Sequence, residues 1–189
     1  MFDLRHYVIR RKFFKIFGAS FHVYDDSGRV VGFSKQKAFK LKEDIRVYTD
    51  ESLSAELLTI KARQIIDFSA AYDIVDAVPN EKVGAARRKG WSSFIRDSWE
   101  ILDVNDGVVA KITEDSTMLA LLRRILSNLI PQTFMLKDSA GTTMAVLRVH
   151  FNPFIYKLSV TIEPNSTLDP RVVFGAAVLL AAIEGRQSG

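Results

Sequence analysis

Residues 171–184 read Arg171-Val-Val-Phe-Gly-Ala-Ala-Val-Leu-Leu-Ala-Ala-Ile-Glu184, and from Val172 to Ile183 no side chain is polar. A helix built from this stretch is apolar on every face and must be enclosed on every side. Asp169 is placed to cap its start, Pro170 sits at the first helical position where a missing N–H costs nothing, and Gly185 can close the other end. At ~1.5 Å per residue the apolar part is roughly 18 Å long, short of the ~30 Å hydrocarbon core of a bilayer. The stretch therefore reads as a core helix rather than a transmembrane span. Its small residues, Gly175, Ala176, Ala177, Ala181 and Ala182, make a slim cylinder that fits inside a sleeve of strands.

Strands are abundant upstream. Tyr7–Phe17 mixes aromatic and basic residues and reads as a strand or edge segment ending in a turn at Gly18. Phe21–Val31 runs β-formers into Asp-Asp-Ser-Gly and out again, the pattern of a hairpin. Ile45–Thr49 and Glu56–Ala62 follow, joined by Asp50-Glu-Ser-Leu-Ser54, then Ile65–Ser69, Tyr72–Asp76 and Lys82–Lys89. Trp99–Asp103 turns through Gly107 into Val108–Ile112, and Phe134–Asp138 turns through Gly141 into Thr143–Val149. Three times, an aromatic-led strand ends in Asp and meets Gly within three or four residues. Asp bonds the turn backbone and Gly tolerates positive φ. Ser116–Leu126 has helical apolar spacing with Arg123 and Arg124 outward. Ile155–Ile162 is a last strand before the helix.

Roughly ten to twelve antiparallel strands must curl or close to avoid long exposed edges. A closed sheet of that size has a lumen too wide for its own side chains, which a helix can fill. The expected fold is mainly β: a closed antiparallel barrel of about twelve strands around a buried C-terminal helix, with residues 1–189 as a single domain.

The ordered series Tyr7-Val-Ile-Arg-Arg-Lys, Phe21-His-Val-Tyr-Asp with its Gly28 turn, Lys37–Asp50, Leu57–Arg63 and Val83–Lys89 resembles the LURP-one-related and phospholipid-scramblase group of the tubby C-terminal-like superfamily. The resemblance implies a twelve-stranded barrel around a C-terminal helix. It also implies no single function, because that group includes phosphoinositide-binding tubby domains as well as scramblases. The lipidated cysteine cluster and the proline-rich extension of animal scramblases have no counterpart here.

The absence of cysteine excludes disulfides, thiolate metal sites and cysteine nucleophiles, and fits a reducing, cytoplasmic setting. No secretory h-region opens the chain. The net charge of +4 is unevenly spread: residues 1–42 carry ten Lys/Arg against three Asp/Glu. His6, His22 and His150 are dispersed without metal-ligand spacing. Asp103-Val-Asn-Asp-Gly107 lacks the ligand spacing of a calcium loop and reads as a turn. Asp67 and Asp73 flank an apolar stretch, and structural roles suit them better than acid/base work. No catalytic signature appears, so neither enzymatic activity nor a cofactor is expected.

The basic residues point to a function in binding. Lys35 and Lys37 share a strand face, as do Lys40 and Lys42, and Arg87, Arg88 and Lys89 form a second cluster before Trp91. Brought together, they would seat anionic phospholipid or phosphoinositide headgroups at a peripheral membrane surface. Two alternatives stand beside this: a protein-interaction module using strand edges or the 116–126 helix, and a carrier of a small apolar ligand in the lumen. Nucleic-acid binding is not expected.

Overall fold

The computed structural model describes residues 1–14, 18–36, 44–63, 71–89, 98–114, 132–150 and 155–184. The strands are β1 (His6–Phe14), β2 (Gly18–Tyr24), β3 (Val30–Gln36), β4 (Ile45–Tyr48), β5 (Glu56–Ala62) and β6 (Ala71–Asp76). They continue as β7 (Glu81–Lys89), β8 (Ser98–Leu102), β9 (Val108–Glu114), β10 (Thr133–Asp138), β11 (Thr143–His150) and β12 (Tyr156–Ile162), before helix α1 (Pro170–Glu184). Each strand pairs antiparallel with its sequence neighbours, and β12 pairs with β1 to close the barrel. Among the described strands closure leaves no free sheet edge. Gly18, read as a turn, instead opens β2. The expected strand at 65–69 and helix at 116–126, together with Gly185, lie outside the described residues.

Period-two alternation sets which side chains face the lumen. On β12, Tyr156, Leu158, Val160 and Ile162 are buried, while Lys157, Ser159 and Thr161 alternate with them and are more open to solvent. The inward set surrounds α1, whose Val173, Ala177, Ala181 and Ala182 are wholly buried. Contact is close enough to require glycine. A Cβ on Gly175 would lie 2.8 Å from Ile74, and one on Gly84 would lie 2.6 Å from the Leu102 carbonyl and 2.8 Å from Val172.

Both helix ends are tied to the wall. At the start, Asp169 Oδ1 accepts the Arg171 N–H at 2.9 Å, and the Arg171 guanidinium reaches Asp169 at 2.6 Å and Asp76 of β6 at 2.7 Å. At the finish, Arg11 of β1 points inward, 3% exposed, and donates from Nη1 to the carbonyls of Ala181 (3.2 Å) and Ala182 (3.1 Å). Those carbonyls belong to the last turn, where no intrahelical partner exists, and a cation there complements the negative end of the helix dipole. Arg11 is thus a strand cation turned to the core rather than to solvent.

The hairpins repeat one device. Asp25 Oδ1 accepts the N–H groups of Ser27 and Arg29, Asp103 Oδ1 those of Asn105 and Gly107, and Asp138 Oδ1 that of Thr142. Gly28 and Gly141 take positive φ as expected, but in the middle hairpin Asp106 does so (φ 66°). Gly107 serves another purpose there: a Cβ would sit 2.9 Å from the Asp103 carboxylate. Asp50 and Asp76 bond their turns in the same way, through Ser52 and Val78. Antiparallel order places all five hairpins at one end of the barrel, alongside the start of α1.

Ala177→Asp puts an unpaired charge inside this sleeve and is expected to abolish soluble expression. Arg11→Met, which strips two buried carbonyls of their donor, is expected to lower stability by about 1–3 kcal/mol. Urea unfolding followed by circular dichroism measures the second effect, and an unchanged midpoint would refute it.

Candidate anion-binding wall

The basic residues singled out in the sequence do not form one cluster. Lys35 is exposed on β3. Arg87 binds the buried carboxylate of Glu100 on β8 at 2.5 Å, so its charge is already matched. Arg88 aligns with Trp99 on the lumen side, is half-buried and has an interaction of its own. Lys89 ends β7, its side chain outside what is described, and Lys37, Lys40, Lys42 and Trp91 lie outside the described residues. Strands β3 and β7 are four positions apart in the barrel, at least about 19 Å along the sheet at ~4.8 Å per strand.

In the other direction from Lys35 the cations continue. Lys35 faces Ser20 on β2, and two residues along β2 His22 faces Arg10 on β1. Arg10 aligns with Lys157 on β12, and Lys157 with His150 on β11. Arg148 lies two residues from His150 on the same face, opposite Ser159. Arg10 is held over the Tyr24 ring, 4.5 Å from its centroid. His150 Nε2 lies 2.8 Å from the Ser159 hydroxyl. Among the described residues no carboxylate pairs with Arg10, Arg148, His150 or Lys157. His150 is pushed below its ordinary value by partial burial first, then by the charges of Lys157 and Arg148. Lys111 and Lys137 also align, but Glu100 stands on the other flank of Lys111.

A family model described as LURP-one-related matches residues 30–181, most of the chain and all of the barrel from β3 to α1. The chain belongs to the LURP-one-related family. Neither a curated protein nor a solved structure matches it. The wider tubby-like and scramblase kinship is no part of that match.

In this LURP-one-related barrel the acidic residues collect at the hairpin end. Asp25, Asp26, Asp50, Glu51, Asp76, Glu81, Asp103, Asp106, Asp138, Glu163 and Asp169 are eleven of the chain's 22 Asp/Glu, and among the described residues four of its 26 Lys/Arg, Arg29, Arg63, Lys82 and Arg171, pair with them. Much of this is turn and anchoring chemistry. The Ser27 hydroxyl, with Arg29, holds Asp25 at about 2, and Arg63 and Lys82 hold Asp106 at about 2. Asp73 is bound into the same Arg63 and Lys82 network, and Asp67 lies outside the described residues. His22 is packed against Phe33 with its Nε2 on Glu51 at 2.6 Å. Among the described residues no group of three His, Cys, Asp or Glu could hold a metal ion, and no helix is long and apolar enough to cross a membrane. A cavity of about 10 Å³ lies between Phe2, Leu4, Tyr7, Ile162 and Phe174, room for a single water rather than a lipid.

The wall on β1, β12 and β11 was hidden in the sequence because Arg10 meets Lys157, His150 and Arg148 of the paired strands β11 and β12 only through barrel closure. The available signal was β-alternation on β12, which turns Lys157 outward. Because the folded state holds His150 below its unfolded value, His150 protonates less readily when folded, and stability falls as pH drops from 7 through the ordinary histidine range. An NMR titration is expected to give a His150 midpoint below 6.5, rising on Lys157→Gln; a midpoint insensitive to that substitution would contradict the assignment.

Proposed function

We propose that this LURP-one-related domain is a non-enzymatic barrel that associates peripherally with anionic phospholipid surfaces through the outer wall running from β3 across β2, β1 and β12 to β11. The observation that supports it is charge segregation. With eleven acids at the hairpin end, and Arg29, Arg63, Lys82 and Arg171 bonded to them, the rest of the chain keeps 22 Lys/Arg against 11 Asp/Glu. Lys35, Arg10, Lys157 and Arg148 stand on the wall without acidic partners among the described residues. Such a molecule meets a negative surface with this wall toward it. At about 1 kcal/mol per cation near the surface, these four supply roughly 4 kcal/mol, equivalent to a millimolar Kd, so association is weak and salt-dependent.

A protein-interaction role has its own support at the opposite pole. Leu53, Val78 and Val104, 42%, 85% and 52% exposed, tip successive hairpins. Docking at a strand edge loses its basis, since the barrel is closed.

Flotation with phosphatidylserine-containing vesicles is expected to carry the protein at low salt and release it at high salt, with phosphatidylcholine vesicles leaving it behind. Equal recovery with both, or none with either, would remove the membrane reading.

A further inference from the structure

We propose that β1, β12 and β11 form a discrete seat for a phosphate group, made by Arg10, Lys157, His150, Arg148 and the Ser159 hydroxyl. This rests on the surface-association reading and adds to it the chemical group that is bound.

Strand register does the positioning. Arg10, Lys157 and His150 occupy one row across three adjacent strands, with Ser159 and Arg148 in the next row on the same face. Side chains directly opposite have Cβ atoms about 5 Å apart, and like charges placed so are unfavourable. Two such pairings are consecutive here, Arg10 with Lys157 and Lys157 with His150. Val8, Val146 and Thr161 on this face, and Gln132 and Thr133 of β10, carry no charge; on β2, His22 faces Arg10, and the Glu51 carboxylate beyond it is taken up by His22 Nε2 at 2.6 Å. A compact dianion above Lys157 lies within reach of both rows of donors and turns mutual repulsion into charge-assisted bonds. The donors stand on paired strands rather than on a loop, and Arg10 is steadied by Tyr24, so little ordering is lost on binding. His150 adds a reporter. Its present neighbours, Lys157 and Arg148, disfavour its protonated form, and a phosphate between them favours it.

The chemistry is common to a phosphorylated lipid headgroup and to a free phosphate ester. Inositol trisphosphate, and vesicles carrying a phosphorylated inositol lipid against phosphatidylserine vesicles of equal charge, separate the two. NMR titration with inositol trisphosphate is expected to move the resonances of residues 8–10, 146–150 and 157–159 and to raise the His150 midpoint. Arg10→Gln and Lys157→Gln should each weaken binding roughly tenfold or more, while Lys111→Gln, on β9 outside the seat, leaves it unchanged. Each variant is first checked for an unchanged amide spectrum away from the substitution. Binding indifferent to residues 10 and 157, or no binding of inositol trisphosphate, overturns the seat even if phosphatidylserine vesicles still carry the protein. Binding of inositol trisphosphate at this site with no flotation on any vesicle upholds the seat and overturns the membrane reading.

Discussion

A helix with no polar face cannot rest on a surface, because any side left bare would expose apolar side chains to water. That condition governs the architecture. It demands a wall on all sides, and twelve antiparallel strands supply one, an even number that lets β12 pair with β1. Enclosure then creates a difficulty of its own, since the terminal backbone groups of a helix also need partners. Arg11 meets the carbonyls of Ala181 and Ala182, while Asp169, Arg171 and Asp76 hold the opposite end. Both solutions link the core to the wall by charge.

The same polarity extends to the surface. Turn after turn at one end is built on an aspartate that accepts backbone N–H groups, and this local requirement, repeated five times, leaves that pole acidic. The cations are displaced onto the wall. Segregated charge is thus partly a by-product of hairpin construction, and it gives the wall a chemical character that a random distribution would have blurred.

Much of the fold was legible because its signals are local. The unbroken apolar run 172–183, the Asp169-Pro170 start and alternation on β12 each identify an element from neighbouring residues alone. The hairpin at Asp103 was legible in place but not in detail, since Gly107 suggested the positive φ that Asp106 adopts. The basic wall was less readable, for the same reason reversed. Arg87 and Arg88 are adjacent in sequence yet face opposite sides, one matched by Glu100 and the other turned toward the lumen. Arg10 and Lys157 are neighbours only because the first and last strands meet. Arg11 looked like one more surface cation, and no local pattern marks it as the partner of a helix 170 residues away.

The order of synthesis gives that last contact a further meaning. A ribosome releases the wall first, strand by strand, and the rod that fills it last. Until residues 172–183 emerge, the inward faces of every earlier strand have nothing to close upon, and nascent chains must carry that greasy lining through the crowded cell unfinished. The domain therefore cannot complete its core until residues 172–183 have been made.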